Sequence, residues 1–130
     1  MPSVPNRTIV ATDKAPGAIG PYSQAVKTDS VVYVSGQLAL DPASGELVNH
    51  EIQAETRQAM QNLQAILEAA GSGFDKVVKT TLFIKEMDDF PKINAVYAEF
   101  FPEAPPARAC VEVARLPKDA NFEIEAVALL

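Results

Sequence analysis

The sequence is poor in the residues that build disulfides and metal sites. It has one cysteine, Cys110, one histidine, His50, and no tryptophan. A single cysteine excludes a disulfide within the chain, and one cysteine with one histidine supplies too few ligands for a zinc site. Glycine-rich phosphate loops of the G-x-G-x-x-G or Walker kind are also missing. We therefore expect a protein that works without a metal or an organic cofactor.

Basic residues and long apolar runs are scarce as well. The chain has 11 Lys and Arg against 17 Asp and Glu, a formal net charge of −6. An acidic chain without a basic cluster attracts phosphates weakly, so nucleic acid is not an expected partner. No apolar stretch approaches the roughly 20 residues of a membrane helix, and the first residues lack a signal-peptide core. The expected location is cytoplasmic with no membrane partner, and the mitochondrial matrix stays open as an alternative.

The length and apolar content fit one folded domain over residues 1–130. Hydrophobic residues make up 48% of the 130. A chain of this length buries roughly two thirds of its unfolded surface on folding, which is enough for a core without disulfides or a structural metal.

Two amphipathic helices are predicted from apolar residues spaced three and four apart. The first spans about 50–70, with Gly71 as a left-handed cap. The second begins after Asp88 or Asp89, either of which can cap it, and tolerates Pro91 in its first turn. Its apolar and aromatic stripe is interpreted as core: Phe90, Ile93, Val96, Tyr97, Phe100 and Phe101.

Short β-branched segments predict six strands. They are 8–10, 24–26, 31 to about 38, 77–84, 107–113 and 122–129. The order is therefore three strands, helix, strand, helix and two strands. Apolar residues lie on both faces of the strands, whereas two helices cover only one face of a sheet. We expect self-association to cover the other face, so the pattern predicts a homo-oligomer.

The strand that carries Arg108 is the first candidate for chemistry. Alternation places Arg108, Cys110 and Glu112 on one side of it. A guanidinium among small apolar residues needs an anionic partner. Two hypotheses stay open: an internal ion pair with Glu112, Glu123 or Glu125, and a clamp for the carboxylate of a substrate.

The last strand presents Glu123 and Glu125 on one face. A carboxyl group in an apolar setting has a raised pKa that suits general acid and base catalysis, although such pairs also occur on solvated faces. Cys110 is interpreted as a pocket-lining residue, because His50 lies far along the chain and no other base is evident.

Three further positions are candidates for lining a pocket. Gly36 interrupts an apolar strand beside Ser35, where glycine often marks a bulge or a close approach of backbone to ligand. Tyr22 ends a loop constrained by two prolines and two glycines. Asn94 stands among apolar residues of the second helix and either satisfies an internal polar group or points into a site.

Three segments give these scattered positions a common meaning. They are the loop and following residues 15–25, Val34-Ser35-Gly36-Gln37, and the run from Pro106-Ala107-Arg108-Ala109-Cys110-Val111 through Leu116-Pro117 to Ile124-Glu125-Ala126. Over nearly the whole chain the sequence resembles the RidA/YjgF family of reactive-intermediate (enamine/imine) deaminases.

The resemblance implies an α+β, chorismate-mutase-like fold, with two helices on one face of the sheet. It implies a homotrimer around an inner β-barrel, with pockets at the subunit clefts. The substrates would be 2-enamine and 2-imino acids, such as 2-aminoacrylate and 2-iminopropanoate, hydrolysed without a cofactor to 2-keto acids and ammonia. Family members have also been described as endoribonucleases, translation inhibitors or chaperones, which stay as alternatives.

The resemblance also implies roles for individual residues. Arg108 would bind the substrate carboxylate, and Glu123 would orient and activate water. The wall of the pocket would consist of Tyr22, Ser35, Gly36, Asn94 and Cys110.

Overall fold

The computed structural model describes residues 6–130, so residues 1–5 of the predicted domain lie outside the described residues. The regular elements are β1 (Thr8–Val10), β2 (Ala25–Lys27), β3 (Val31–Gln37), α1 (Ile52–Ala69), β4 (Val77–Ile84), α2 (Phe90–Phe100), β5 (Ala107–Glu112) and β6 (Phe122–Leu129). The predicted order of strands and helices is confirmed. None of the helices in this part of the chain is long and apolar enough to cross a bilayer.

The strands form one six-stranded sheet in the order β1-β2-β3-β6-β4-β5. Neighbouring strands are antiparallel except β4 and β5, which run parallel and are connected through α2. The last strand of the chain, β6, lies in the middle of the sheet between β3 and β4. Glu123 therefore sits on a central strand, whereas Arg108 sits on the edge strand β5.

Both helices cover the same face of the sheet. On that face Phe122 and Ile124 of β6 are fully buried, as are Leu63 and Ile66 of α1. The α+β prediction, with two helices on one face, is confirmed.

The opposite face of the sheet carries apolar side chains, and no helix among residues 6–130 lies over them. Ile9, Tyr33, Val111 and Leu129 are 52%, 54%, 43% and 47% exposed. Strand pairing puts Ile9 and Tyr33 in one row with Val127. The predicted two-faced apolar strands are thus present, and the oligomer that would cover this face stays a prediction.

The helix ends agree with the sequence in one case and correct it in another. Gly71 follows α1 with φ +84°, the left-handed conformation expected of it. Asp89 occupies the cap position of α2, but its side chain accepts no capping hydrogen bond, so the predicted side-chain cap is wrong. The reason is its helical backbone (φ −81°, ψ −8°), since the short 3₁₀ turn Met87–Asp89 leads directly into α2. A capping side chain needs the extended backbone that Glu51 provides before α1.

Candidate active site

Arg108 points toward the helix-covered side of the sheet. In the parallel pair it lies opposite Thr80 of β4, a buried residue of that side. Its Nη1 donates a hydrogen bond to Oδ1 of Asn94 on α2 at 2.6 Å. The guanidinium carbon lies 4.8 Å from the ring centre of Tyr97 and 5.1 Å from that of Phe90. One amide and two aromatic rings of α2 therefore hold the guanidinium in place.

The predicted ion pair of Arg108 is wrong. Within residues 6–130, no salt bridge joins Arg108 to Glu112, Glu123 or Glu125. Glu123 and Glu125 point to the opposite face of the sheet, since they pair with Phe83 and Thr81 of β4. Glu112 shares the face of Arg108, but its carboxylate accepts the main-chain N–H of Met87 at 2.8 Å.

One edge of the Arg108 guanidinium is free to bind an anion. Asn94 occupies Nη1, and no residue among 6–130 accepts a hydrogen bond from Nε or Nη2. The Nε and Nη2 hydrogens point in parallel, the arrangement that binds both oxygens of a carboxylate. Arg108 is exposed, so an incoming carboxylate has access to this edge.

Phe90 and Tyr97 are site residues that the sequence analysis assigned only to the core. Tyr97 is indeed buried, and its hydroxyl shares a 2.7 Å hydrogen bond with the hydroxyl of Thr80. Burial raises the pKa of Tyr97, so its ring stays neutral beneath the cation. Phe90, Asn94 and Tyr97 are spaced four and three residues apart. This spacing was the signal in the sequence that the three residues share one face of α2.

Cys110 lies two residues beyond Arg108 on the same side of β5 and is half-buried. Burial raises the pKa of its thiol, and the charge of Arg108 opposes this rise only in part. A protonated thiol is a poor nucleophile. The structure thus disfavours a nucleophilic role for Cys110, and its place in a pocket wall stays a prediction.

The other predicted residues meet on the opposite face. Tyr22, Ser35, Gly36 and Glu123 line one cleft of about 680 Å³, together with Glu125. The cleft lies between the loop before β2, the end of β3 and the start of β6.

Gly36 allows the side chain of Glu123 to lie across β3. The pairing of β3 with β6 shifts register between Val34 and Gln37, which confirms the predicted bulge. A Cβ at position 36 would collide with the Glu123 carboxyl group, whose Cδ would be 2.9 Å away. The Glu123 carboxyl group can therefore keep this position only if residue 36 has no Cβ.

Replacing Gly36 with alanine is expected to displace the Glu123 carboxyl group and leave the fold intact. The clash involves the end of a flexible side chain, which can rotate away. We expect kcat for the imine hydrolysis that the family resemblance implies to fall about tenfold or more, because a misplacement of about 1 Å can have such an effect. Kinetics and thermal unfolding check this, with Gly17→Ala as the control, since a Cβ there meets no atom within 4 Å. Wild-type kcat in Gly36→Ala would contradict it.

Glu123 has the electrostatics of a general acid and base. Partial burial raises the pKa of its carboxyl group, and the negative charge of Glu125 raises it further. A carboxyl group with a raised pKa holds its proton more readily, which is the property that general acid and base catalysis uses.

Ser35 connects two segments of the cleft wall through hydrogen bonds. Its hydroxyl donates to the main-chain oxygen of Ser23 at 2.6 Å, and its N–H donates to that of Gln24 at 3.0 Å. These bonds tie β3 to the loop that presents Tyr22, whose side chain is 52% exposed.

The predicted site residues therefore form two groups rather than one. The first group, Arg108, Asn94 and Cys110, lies at the helix-covered side of the sheet edge. The second group, Tyr22, Ser35, Gly36 and Glu123, lines the cleft of the helix-free face. The sheet separates the two groups within one chain.

The profile of the endoribonuclease L-PSP family matches residues 12–130. The chain belongs to this family. Solved structures related to it include members described as Rid and YjgF proteins, which agrees with the resemblance found in the motifs.

Individual relatives within the RidA/YjgF family are similar over almost their full length. The human 2-iminobutanoate/2-iminopropanoate deaminase is 50% identical over 123 residues, which cover 95% of this chain and 90% of the relative. A putative endoribonuclease of Thermotoga maritima superposes with a TM-score of 0.93 at 49% identity, covering 95% and 97% of the two chains. Escherichia coli TdcF with bound serine has a TM-score of 0.91 at 44% identity, covering 95% and 98%.

Proposed function

We propose that the protein hydrolyses 2-imino acids, and the enamines that tautomerise to them, to 2-keto acids and ammonia. The observation that carries the proposal is the Arg108 guanidinium, which Asn94, Phe90 and Tyr97 hold with its carboxylate-binding edge free. Relatives about 50% identical over 95% of the chain are named 2-iminobutanoate/2-iminopropanoate deaminase, which supports the substrate class. A cytoplasmic location stays a prediction.

The chemistry needs few groups because a protonated imine carbon is already electrophilic. The free edge of Arg108 binds the carboxylate and fixes the C=N group beside it. The Glu123 carboxylate takes a proton from a water molecule while the oxygen of that water bonds to the imine carbon. The resulting carboxylic acid returns the proton to nitrogen. The C–N bond then breaks while the carboxylate takes the hydroxyl proton and the carbonyl forms, and the departing ammonia takes up that proton as ammonium. The raised pKa of Glu123 suits both proton transfers.

A complete site of this kind needs two chains. Arg108 and Glu123 lie on opposite faces of one sheet, so a single substrate cannot touch both within a protomer. The exposed apolar residues of the helix-free face supply a surface for association. A homotrimer with each site at a subunit interface, Arg108 from one chain and Glu123 from the next, meets both requirements.

Mixing two inactive variants is expected to restore activity. In a cyclic trimer of Arg108→Ala and Glu123→Gln chains, every mixed trimer contains one interface with both residues intact. Random exchange then gives about one quarter of the wild-type sites. Co-refolding the two variants and assaying keto-acid formation measures this, and a monomer near 13.9 kDa by light scattering would contradict the assembly. Mixtures no more active than their separate components would contradict the shared site.

The proposed function is tested by generating the imine within the assay mixture. A pyridoxal phosphate-dependent dehydratase releases the enamine from serine or threonine, and keto-acid formation is followed with and without this protein. The family description also names an endoribonuclease, so the same preparation is incubated with RNA. We expect faster keto-acid formation and intact RNA, because general acid and base RNases usually use His or Lys pairs in a basic groove, whereas this chain has one His and a net charge of −6. An unchanged rate of keto-acid formation would reject the proposed function.

A further inference from the structure

Glu55 is a fully buried carboxylate that the proposed reaction does not use. It lies on α1 with no exposed surface. Its Oε2 accepts the main-chain N–H of Asn121 at 2.7 Å, and its Oε1 accepts the side-chain Nδ2 of the same residue at 2.9 Å. Both carboxylate oxygens are thus occupied by one residue from a distant part of the chain.

Asn121 is the residue directly before β6. Its own carbonyl oxygen accepts the N–H of Lys85 at 3.0 Å, so its main chain is fixed on both sides. Glu123 follows two residues later. The preceding turn carries Lys118, which lines the cleft with Glu123 and has φ +58°. Glu55 therefore holds the segment from which this wall of the cleft is built.

The same face of α1 holds the neighbouring wall of the cleft. Asn62, seven residues after Glu55, is buried and donates through Nδ2 to the carbonyl oxygens of Leu38 and Leu40, each at 2.9 Å. Leu38 and Leu40 follow the Gly36 bulge and line the cleft. Residues seven apart lie on one face of a helix. Two buried polar residues of one helix thus fasten two segments of one cleft.

We propose that Glu55 is a positioning residue for the carboxyl group of Glu123, acting through Asn121. The proposal rests on the proposed function of Glu123 and goes beyond it by assigning a role to the helix on the other side of the sheet. A carboxylate suits the task because it offers two acceptors and no donor to the two N–H groups of Asn121. An apolar side chain would leave both partly buried groups without this partner.

The test replaces Glu55 with methionine and with glutamine. Glu55→Met keeps the length of the side chain and removes both acceptors. Glu55→Gln keeps one acceptor for the main-chain N–H, and the Asn121 amide can turn so that its oxygen accepts from the new amide. We expect kcat to fall about tenfold in Glu55→Met, KM to change less than about twofold, and Glu55→Gln to stay near wild type.

A titration of Glu123 separates positioning from stability. Carbon-13 NMR of labelled glutamate follows its carboxyl group, which is assigned with Glu123→Gln. The charged groups that line the cleft with it are Glu125 and Lys118. Loosening the start of β6 admits water to Glu123, so we expect its pKa to fall in Glu55→Met, and the acid limb of kcat/KM to move to lower pH with it.

Leu67→Ala is the matched control, because Leu67 is a buried residue of the same helix about 18 Å beyond Glu55. It should lower the melting temperature and leave the Glu123 titration unchanged. Should Glu55→Met not fold, Asn121→Ala tests the same link, because it removes only the side-chain bond and should shift the titration in the same direction. A wild-type titration and kcat in the folded variant, or an equal shift in Leu67→Ala, would overturn the proposal. The NMR readout needs no turnover, so it stays decisive even if the wild type hydrolyses no imine.

Discussion

Arg108→Lys is expected to fold normally and to lose about thirty-fold to several-hundred-fold in kcat/KM for imine hydrolysis. Lysine keeps the charge, but it lacks the planar pair of donors that Nε and Nη2 present to a carboxylate. It also cannot keep both the bond to Asn94 and the stacking on Phe90 and Tyr97 that fix the guanidinium. The loss corresponds to about 2–4 kcal/mol of transition-state stabilisation.

Three comparisons make the Arg108 result specific. Arg57→Lys changes an arginine of α1 that pairs with Glu99 of α2 and belongs to neither group of site residues, so it should leave activity unchanged. Arg108→Ala should keep nearly the wild-type melting temperature, because no buried acid loses a partner. A substrate in which an amide replaces the carboxylate should be slow with every variant alike. Wild-type keto-acid formation by Arg108→Ala would contradict the clamp and remove the main support for the proposed reaction.

Local periodicity explains why much of each half-site could be predicted. The alternation of a strand is fixed by backbone geometry, so the sequence placed Arg108 and Cys110 on one side of β5 and Glu123 and Glu125 on one side of β6. The bulge at Gly36 was also readable, because a glycine inside an apolar strand is uncommon without a local reason.

The relation between the two halves could not be read in the same way. Whether Arg108 and Glu123 share a face depends on strand order and on the register of β5 and β6 with β4. These are long-range pairings that no local pattern encodes. For Glu123 and Glu125 the ion-pair hypothesis failed for this reason, because the sheet separates them from Arg108. Glu112 shares the face of Arg108, but its carboxylate accepts the main-chain N–H of Met87 instead.

The sequence of α1 contains a further signal, because two polar residues lie on its apolar face. Glu55, Ala59, Asn62 and Ile66 are spaced four, three and four apart, so the two polar residues occupy the apolar face of α1. A carboxylate and an amide at buried positions need hydrogen-bond partners, and such partners were to be expected in the irregular segments around the cleft. The sequence thus indicates that α1 forms side-chain hydrogen bonds to irregular segments of the chain. Only the fold identifies these segments as those around Leu38 and Asn121.

Glu123→Gln is expected to lower kcat for imine hydrolysis about a hundredfold or more, because the amide can neither take a proton from water nor return one to nitrogen. In the wild type, kcat/KM should fall as the pH drops through the raised pKa of Glu123, since only the ionised form activates water. The variant should show no such limb. Glu125→Gln is the control: it leaves the burial that raises the pKa of Glu123 and removes only the added effect of the neighbouring charge. Its acid limb should therefore move to lower pH while turnover is largely kept.

Glu123→Gln, which lowers activity, should raise the stability of the fold at neutral pH. Because the pKa of Glu123 is raised in the folded state, folding takes up a proton at a pH between the ordinary pKa of a glutamate and the raised value. The contribution of Glu123 to the free energy of unfolding therefore falls as the pH rises through that window, and the ionised carboxylate lowers stability above it. Glu123→Gln removes this effect, so its melting temperature should exceed that of the wild type at neutral pH, and the difference should shrink as the pH falls through the window. A less stable variant at neutral pH with wild-type turnover would contradict both roles of the carboxyl group, whereas a more stable and inactive one indicates that the partial burial of Glu123 serves catalysis at the expense of the fold.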